Sequence, residues 1–553
     1  MDDVEKFQKT IGNEFKKFKL SNIKPSFKEI CFPIKYTYQL PQLFVSNFIN
    51  PNTEYKGLLI YHKIGAGKTC AAVQIAEQWK TKRKIFMICP ASLINNFYKE
   101  ISSECTGNTY VTIKERKLLE SLDVISKDYA DLIIKINSRI DKHYNIYSYN
   151  KFVELITMRK IKLNNALLII DEVQNIISEN GRYYQTIFDI IKKSPPDLRV
   201  VIMSATPIFD KPSELGLTLN LLKPKEYFPI GNKFNDKYIE YNIINKKPEY
   251  NIINEDDLRL KLNGLISYYR GAPDYVFPQK IQKIVKCPMS KYQYECYKIV
   301  QEREGKISKY DLLKLPNNFF IGSRIISNIA YPQKHVNELG LEALNNTAMK
   351  LDNLKKYSTK FFYLTKRILR AKGTIFIYSH FKAFGGLVPL IKILEYNGFT
   401  NFLENGLGKK RYAVWSGDET IEQKQKILNT YNLKSNFDGS LIKIILGSPS
   451  IKEGVSLLRT RSVHILEPYW NMQRIEQIIG RAVRFCSHKD VEKDERYVKI
   501  YLYLATKPKD IHNTDITIDD YIYNIAKIKK KITDQFEKII KKSAIDYKLF
   551  QDI

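Results

Sequence analysis

Apolar residues in this chain gather into short unbroken runs, most of them followed by a stretch at helical spacing. Lys56 to Tyr61 reads as a buried strand that runs into glycines and then into a helix from Thr69 to Trp79. A second strand, Ile85 to Cys89, ends at Pro90-Ala91-Ser92, and a helix follows through Phe97. Ala166 to Ile170 is apolar throughout, as expected of a central parallel strand covered on both faces. Arg199 to Met203 is another such run and leads into Ser204. This alternation predicts an α/β lobe over residues 30–225.

The pattern returns at Thr374 to Tyr378, Ile442 to Leu446 and Val463 to Leu466, which predicts a second α/β lobe over 350–505. Residues 1–29 form an N-terminal extension. The stretch 226–349 is polar, rich in Asn and Tyr and mostly helical by pattern, an insertion or bridge. In the tail, 506–553, Ile518, Ile522, Ile525, Ile528, Ile532, Phe536 and Ile539 recur every three or four residues, with lysines such as Lys527, Lys531 and Lys538 between them. That spacing predicts a long amphipathic helix with a basic outer face. Two roles are open for it: a brace on the second lobe with solvated lysines, or a nucleic acid contact. The expected architecture is α/β, with two tandem RecA-like parallel-sheet lobes, a mostly helical insertion and a C-terminal helix.

Composition sharpens this only in part. A chain of 553 residues, 44% of them hydrophobic, is long enough for several ordinary cores. Lys and Arg outnumber Asp and Glu by 89 to 59, a net charge of +30 that suits a polyanionic partner. A Lys-, Ile-, Asn- and Tyr-rich composition is also what AT-rich coding sequence yields, so charge alone does not identify that partner. The seven cysteines are scattered with no Cys-x-x-Cys pair, which argues against a zinc ribbon and a disulfide framework and fits a reducing compartment. The N-terminus, Met1-Asp2-Asp3-Val4-Glu5-Lys6, has no signal-peptide character, and the apolar runs are far too short to span a bilayer. A cytoplasmic protein with no membrane partner is expected.

Four strings carry the chemistry. In Gly65-Ala66-Gly67-Lys68-Thr69, between a strand and a helix, the glycines permit a tight loop whose N–H groups surround a β-phosphate. Lys68 would neutralise the β/γ oxygens and Thr69 would ligate Mg2+ of an Mg2+–ATP substrate. The strict loop pattern places a glycine where His62 stands. Asp171 and Glu172 end an apolar strand, the first suited to hold Mg2+ and the second to orient and deprotonate the attacking water; Gln174 follows. Ser204 and Thr206 end a neighbouring strand, where with Gln174 they could couple nucleotide state to lobe movement. Gln477, Arg481 and Arg484 form the fourth string, in the second lobe. There the two arginines, three apart on an expected helix, could stabilise charge on the leaving phosphate. Ser448 follows a buried strand in a run that continues to Gly454, and small hydroxyl residues such as Ser448 and Ser92 at strand ends suit nucleic acid phosphates.

Taken in order, these strings resemble the superfamily 2 helicase-type ATPases. The resemblance adds an adenine-reading glutamine (Gln42, or Gln39) and places Gly454 among the nucleotide contacts. Ile478 in the fourth string, and Glu467-Pro468-Tyr469-Trp470-Asn471 before it, are similar to the Swi/Snf-like branch. Closer still are ATPases of large cytoplasmic DNA viruses: the poxvirus early transcription factor small subunit and nucleoside triphosphate phosphohydrolase I. The likeness extends to Ser267-Tyr268-Tyr269-Arg270-Gly271 and Ser543-Ala544-Ile545-Asp546. It implies a nucleic-acid-dependent ATPase using ATP and Mg2+, a translocase on duplex DNA in viral transcription. It further implies a viral RNA polymerase or second transcription-factor subunit as partner, and location in viral factories and the virion. The rivals are a strand-separating DNA or RNA helicase and a non-catalytic assembly subunit. Intact Lys68, Thr69, Asp171, Glu172, Arg481 and Arg484 argue against the latter.

Overall fold

The computed structural model describes residues 2–21, 25–63, 65–123, 126–225, 228–244, 247–305, 319–451, 455–511 and 516–550. The chain divides into two compact units, Met1–Pro273 with Lys531–Ile553, and Asp274–Lys530.

The first unit is built on strands β1 Gly57–His62, β2 Lys84–Cys89, β3 Tyr144–Ser148, β4 Ala166–Asp171, β5 Arg199–Ser204 and β8 Ile266–Tyr269, with an antiparallel hairpin, β6 Ile239–Ile244 and β7 Lys247–Ile252, apart from the sheet. The sheet order is β3-β2-β4-β5-β1-β8 and every pair is parallel. Parallel strands need crossovers that cover both faces, and β1 and β4 are accordingly buried from end to end. One face holds Leu58 and Ile60 against Val73, Ile75 and Trp79 of the helix Lys68–Trp79. The register sets Tyr61 opposite Ser204 and Asp171 opposite Met203, so the carboxyl ends of β1, β4 and β5 share one edge.

The end of the chain completes this unit. The helix Ile518–Lys542 buries Phe536, which meets Phe234 at 5.7 Å between ring centroids, and Phe550 lies 5.7 Å from Phe44. Gln8 of the first helix, Asp2–Glu14, donates to the Lys542 and Ala544 carbonyls at 2.8 Å each. The tail therefore does not simply brace the second lobe: from Lys531 on it belongs to the first unit. Periodicity shows that a helix has a buried face but not what buries it. Lys527, Lys530, Lys531, Lys538 and Lys542 are exposed, whereas Lys541 lies over the Tyr268 ring at 5.1 Å.

The second unit holds β9 Gln279–Pro288, β10 Ile375–Tyr378, β11 Thr400–Asn401, β12 Arg411–Trp415, β13 Ile444–Gly447, β14 Ser462–Ile465 and β15 Tyr497–Thr506, in the order β11-β12-β13-β10-β14-β15-β9, again parallel. The stretch expected to be mostly helical thus also supplies a hairpin, a strand to the first sheet and a ten-residue strand to the second. Both sheets are of RecA-like, parallel α/β type.

A buried polar cluster ties the second sheet together. Lys360 is fully buried, pairs with Asp519 at 2.6 Å and donates to the Leu466 carbonyl at 2.8 Å and to Asn328 Oδ1 at 2.9 Å. Asn328 in turn donates to Glu467, which also accepts from Ser379 Oγ and the His380 N–H. Burial pushes the Glu467 carboxyl up against the pull of Lys360. Removing one partner of such a cluster leaves a buried charge uncompensated.

The cysteine expectation needs correction. Cys70 and Cys105 form a disulfide across a separation of 35 residues. Scatter in sequence did not exclude it, because the helix Lys68–Trp79 and the turn Glu104–Thr106 pack together in the first core.

Candidate nucleotide-binding site

The loop after β1 has the backbone its glycines predict. Gly65 and Gly67 take φ of 82° and 63°, the left-handed region that glycine adopts without a Cβ penalty. Gly67 caps the helix Lys68–Trp79, so the N-terminal N–H groups of that helix face the loop. Lys68 and Thr69 are half-buried at its start, and Lys68 Nζ donates to the His62 carbonyl at 3.1 Å. His62 offers a carbonyl to the loop lysine at the position where a glycine was expected. Its own ring is buried and bonded to Ser267 Oγ at 2.8 Å, and burial pushes its pKa down to about 3, so it is neutral.

Two glutamines lean over the loop. Gln42 Nε2 donates to the Gly67 carbonyl at 3.1 Å, and its Oε1 accepts the Gln39 N–H at 2.8 Å. Gln39 Nε2 reaches the Gly65 carbonyl at 3.5 Å, while Gln39 Oε1 is buried with no hydrogen-bond partner among the described residues. The left-handed φ at Gly67 is strained for any other residue, and a Cβ there would displace the Gln42 amide from the loop. Of the two glutamines, Gln39 keeps a free acceptor for an outside donor. Ala66 is buried beneath the loop.

At the neighbouring strand ends the second and third strings join. Asp171 is buried and accepts the Glu172 N–H at 2.9 Å; the Tyr149 hydroxyl donates to the Asp171 carbonyl. Glu172 has φ of 52°, unusual for a residue with a side chain and a local strain that its surroundings must hold. Gln174 Nε2 donates to Glu172 Oε2, and Gln174 Oε1 accepts from Ser204 Oγ at 2.8 Å. Ser204 Oγ in turn accepts the Thr206 N–H at 2.9 Å, and Thr206 Oγ1 is buried without a partner among the described residues. A continuous chain of hydrogen bonds therefore runs from Glu172 to Thr206. Beyond it Glu214, buried with its pKa raised to about 7 by desolvation, accepts from the Phe209 and Asp210 N–H groups.

A hydroxyl (Thr69) and a carboxylate (Asp171) form a hard oxygen donor set that suits Mg2+, an ion that keeps waters and takes few protein ligands. Ser92 is exposed on the turn Ala91–Leu93 after β2.

In the second unit, Ser448 follows β13, is buried, and shares a hydrogen bond with Ser450 at 3.0 Å. Gly454 lies outside the described residues. The arginines are placed differently from expectation. The helix Met472–Ile479 ends before Gly480, so Arg481 and Arg484 lie in the turns that follow it. Arg481 Nε donates to the Gln477 carbonyl at 3.1 Å, and Arg484 Nη1 donates to the Val455 carbonyl at 2.7 Å. Both remain half-buried, as does Gln477. Gly480, with φ of −61°, caps the helix before the two arginines that were expected on it.

Sequence reasoning passed over Lys360 and Arg324. The Arg324 guanidinium is buried between the Phe381 and Trp470 rings, at 5.0 and 5.3 Å, with Nε and Nη2 unpartnered among the described residues. No local string marks either residue; only their burial singles them out. Among the described residues no helix is long and apolar enough to cross a membrane.

Comparison with known proteins agrees with this geometry. Residues 38–341 match the SNF2-related domain family, and residues 359–486 match the helicase conserved C-terminal domain. The chain is 46% identical to a protein of Acanthamoeba polyphaga mimivirus described as "Putative ATP-dependent RNA helicase", over 100% of this chain and 96% of that protein. A "Putative helicase" of Invertebrate iridescent virus 3 is 28% identical over 93% of this chain and 53% of its own length. A "Termination factor NPH-I homolog" of African swine fever virus is 25% identical over 89% of this chain and 76% of its own.

Proposed function

The chain belongs to the SNF2-related, Swi/Snf-like branch of the superfamily 2 helicase-type ATPases, and from that premise we propose that it moves along duplex DNA in viral transcription. As a member of that family it is a nucleic-acid-dependent ATPase; duplex translocation and the transcription role are our reading. The match of residues 38–341 to the SNF2-related family supports duplex over single-strand tracking, and the termination-factor relative supports a role beside an RNA polymerase or a second transcription-factor subunit. The setting is a viral factory in the cytoplasm, with packaging in the virion.

The observation that carries the mechanism is the hydrogen-bond chain Glu172–Gln174–Ser204–Thr206. ATP would rest on the loop with its β- and γ-oxygens against Lys68 and the N–H groups of residues 65–69, and Gln42, or Gln39, would read the adenine edge. Thr69 and Asp171 would hold Mg2+, which would supply charge neutralisation at the phosphates. Glu172 accepts the proton of the attacking water. Loss of the γ-phosphate changes what Glu172 is bonded to, and Gln174 passes that change to Ser204 and Thr206. Arg481 and Arg484, with Gln477, act on the charge developing at the leaving phosphate, and Ser92 and Ser448 contact nucleic acid phosphates. ATP turnover measured with no nucleic acid, single strands, duplex DNA and RNA, followed by triplex and strand displacement, tests the proposal. Duplex stimulation with triplex but not strand displacement is expected. Stimulation by RNA alone, with strand separation, would replace the translocase with the helicase that the mimivirus relative's description names.

A further inference from the structure

A cavity of about 950 Å³ opens on the second unit. Its walls include Gly373, just before β10, Arg461 and Ser462 at the start of β14, and Tyr497 at the start of β15. It therefore sits at the amino ends of the strands. Ser379, Ser448 and Glu467 follow the carboxyl ends of β10, β13 and β14. Strands of four residues at ~3.3 Å per residue put about 13 Å of sheet between the two edges.

Six cations line this cavity, Lys366, Arg367, Arg370, Lys372, Arg461 and Lys499, against two acids, Asp438 and Glu495. Glu495 is already engaged: Arg461 Nη2 lies 3.6 Å from its carboxylate and Nη1 donates to its carbonyl. The other five cations have no carboxylate partner among the described residues. His464 also faces the cavity but is buried and uncharged, its pKa pushed down to about 3 by burial and by Arg367. On a convex surface such lysines would be an ordinary solvated face. In a concave site, low-dielectric walls focus the field and like charges raise one another's potential until an anion enters.

The arginines are also held in place. The Arg461 guanidinium lies 4.3 Å over Tyr497 and 5.0 Å from Phe437, and its side chain is 9% exposed. The Arg367 guanidinium lies 5.3 Å over Tyr501, and its Nη1 donates to the Tyr363 carbonyl at 3.0 Å. Stacking fixes the plane of a guanidinium, which lowers the entropy cost of forked hydrogen bonding to phosphate.

We propose that this cavity binds a run of adjacent phosphates, those of a nucleic acid strand or of a free polyphosphate, at a place distinct from the carboxyl-edge contacts. The test uses the full-length protein and chemical acylation of lysines, read by peptide mass at Lys366, Lys372 and Lys499, with the exposed Lys117 and Lys192 of the first unit as references. One arm adds a single strand of about 10 nucleotides, the other inorganic tripolyphosphate. Several-fold protection of the three cavity lysines over the references is expected, and it disappears at Lys366 and Lys499 in the variant Arg370→Glu/Lys372→Glu. Protection by the oligonucleotide assigns the site to nucleic acid, and the same variant then lowers the log–log salt slope by about 1.4, ~0.7 for each of two lost phosphates. Protection by tripolyphosphate alone assigns it to a free polyphosphate. No preferential protection in either arm overturns the proposal. Because the readout needs no hydrolysis, it stands or falls separately from the translocase reading. Both substituted residues are exposed, and circular dichroism of the variant checks its fold.

Discussion

Asp546 accepts a hydrogen bond from the Tyr268 N–H at 2.9 Å across 278 residues of chain, and its other oxygen accepts from the Ser267 hydroxyl. Ser267 is also bonded to His62, whose carbonyl receives Lys68. Asp546 thus stands two side chains from the phosphate loop.

Asp546 is buried, and desolvation raises its pKa from 3.8 to about 7. In the native state it keeps a proton that the unfolded chain loses near pH 4. Its contribution to stability is therefore full below about pH 4 and is lost as pH rises through 7. Asp546→Asn removes this downward contribution, so the Tm of the variant minus that of the parent should rise from pH 4 to 7. The opposing slope from His62, His464 and His488, held neutral by burial, remains in both proteins and cancels in the difference. Parallel Tm curves from pH 4 to 8 would show that Asp546 titrates normally. Asp546→Ala, which leaves the Tyr268 N–H unpaired, should cost about 1–3 kcal/mol.

Gln174→Ala cuts the chain between Glu172 and Ser204 without touching the phosphate loop. Nucleotide affinity should stay within about twofold, and the nucleic-acid-stimulated rate should fall by about tenfold or more, an activation cost of roughly 1.4 kcal/mol per decade. Glu172→Gln should also retain nucleotide while hydrolysis falls to background. Full stimulation in Gln174→Ala would remove the coupling role.

Arg484→Ala should leave ATP affinity nearly intact and lose most of the DNA-stimulated rate, by on the order of a thousandfold if it acts on transition-state charge. The loss of its bond to the Val455 carbonyl predicts a modest fall in Tm as well. The two effects are separated by Arg484→Lys, which keeps the charge. Recovery of Tm without recovery of rate is the expected pattern, and unchanged ATP turnover in Arg484→Ala would exclude the role.

The Cys70–Cys105 bond closes a loop of about 35 residues beginning at the residue after Thr69. Chain-entropy arguments give such a crosslink roughly 3–4 kcal/mol of stability. Reductant should lower the Tm of the parent by more than that of Cys70→Ser/Cys105→Ser, since Cys31 and Cys486 are also disulfide-bonded and respond to reductant in both proteins. Equal shifts in the two proteins, or none in the parent, would count against the bond.

The nucleotide loop and both acids were legible in sequence because each is a local string at the end of an apolar strand. Parallel register then brings the strands' ends together with no further information. The Gln174–Ser204 bond needed the sheet order, since the two residues are 30 apart. β9 escaped notice because its residues 279–284 are exposed, so Lys and Gln stand where a buried strand would carry only apolar side chains. The tail's helix was visible in its spacing, but its partners were not, because they lie hundreds of residues away. The strings Ser267-Tyr268 and Asp546 were noticed separately for their likeness to viral ATPases, and their contact appears only in the fold.

The split makeup of the first unit bears on how the protein is made. Gln8 waits for the Lys542 and Ala544 carbonyls, and Phe44 for Phe550. A ribosome adding about 5–20 residues per second delivers the partners of Gln8 only after 534 further residues. The nucleotide loop emerges early but cannot gain its full support until residues as late as Asp546 and Phe550 have been made. Chains stopped before Lys531 would carry every ATPase string and lack the packing that holds the first of them.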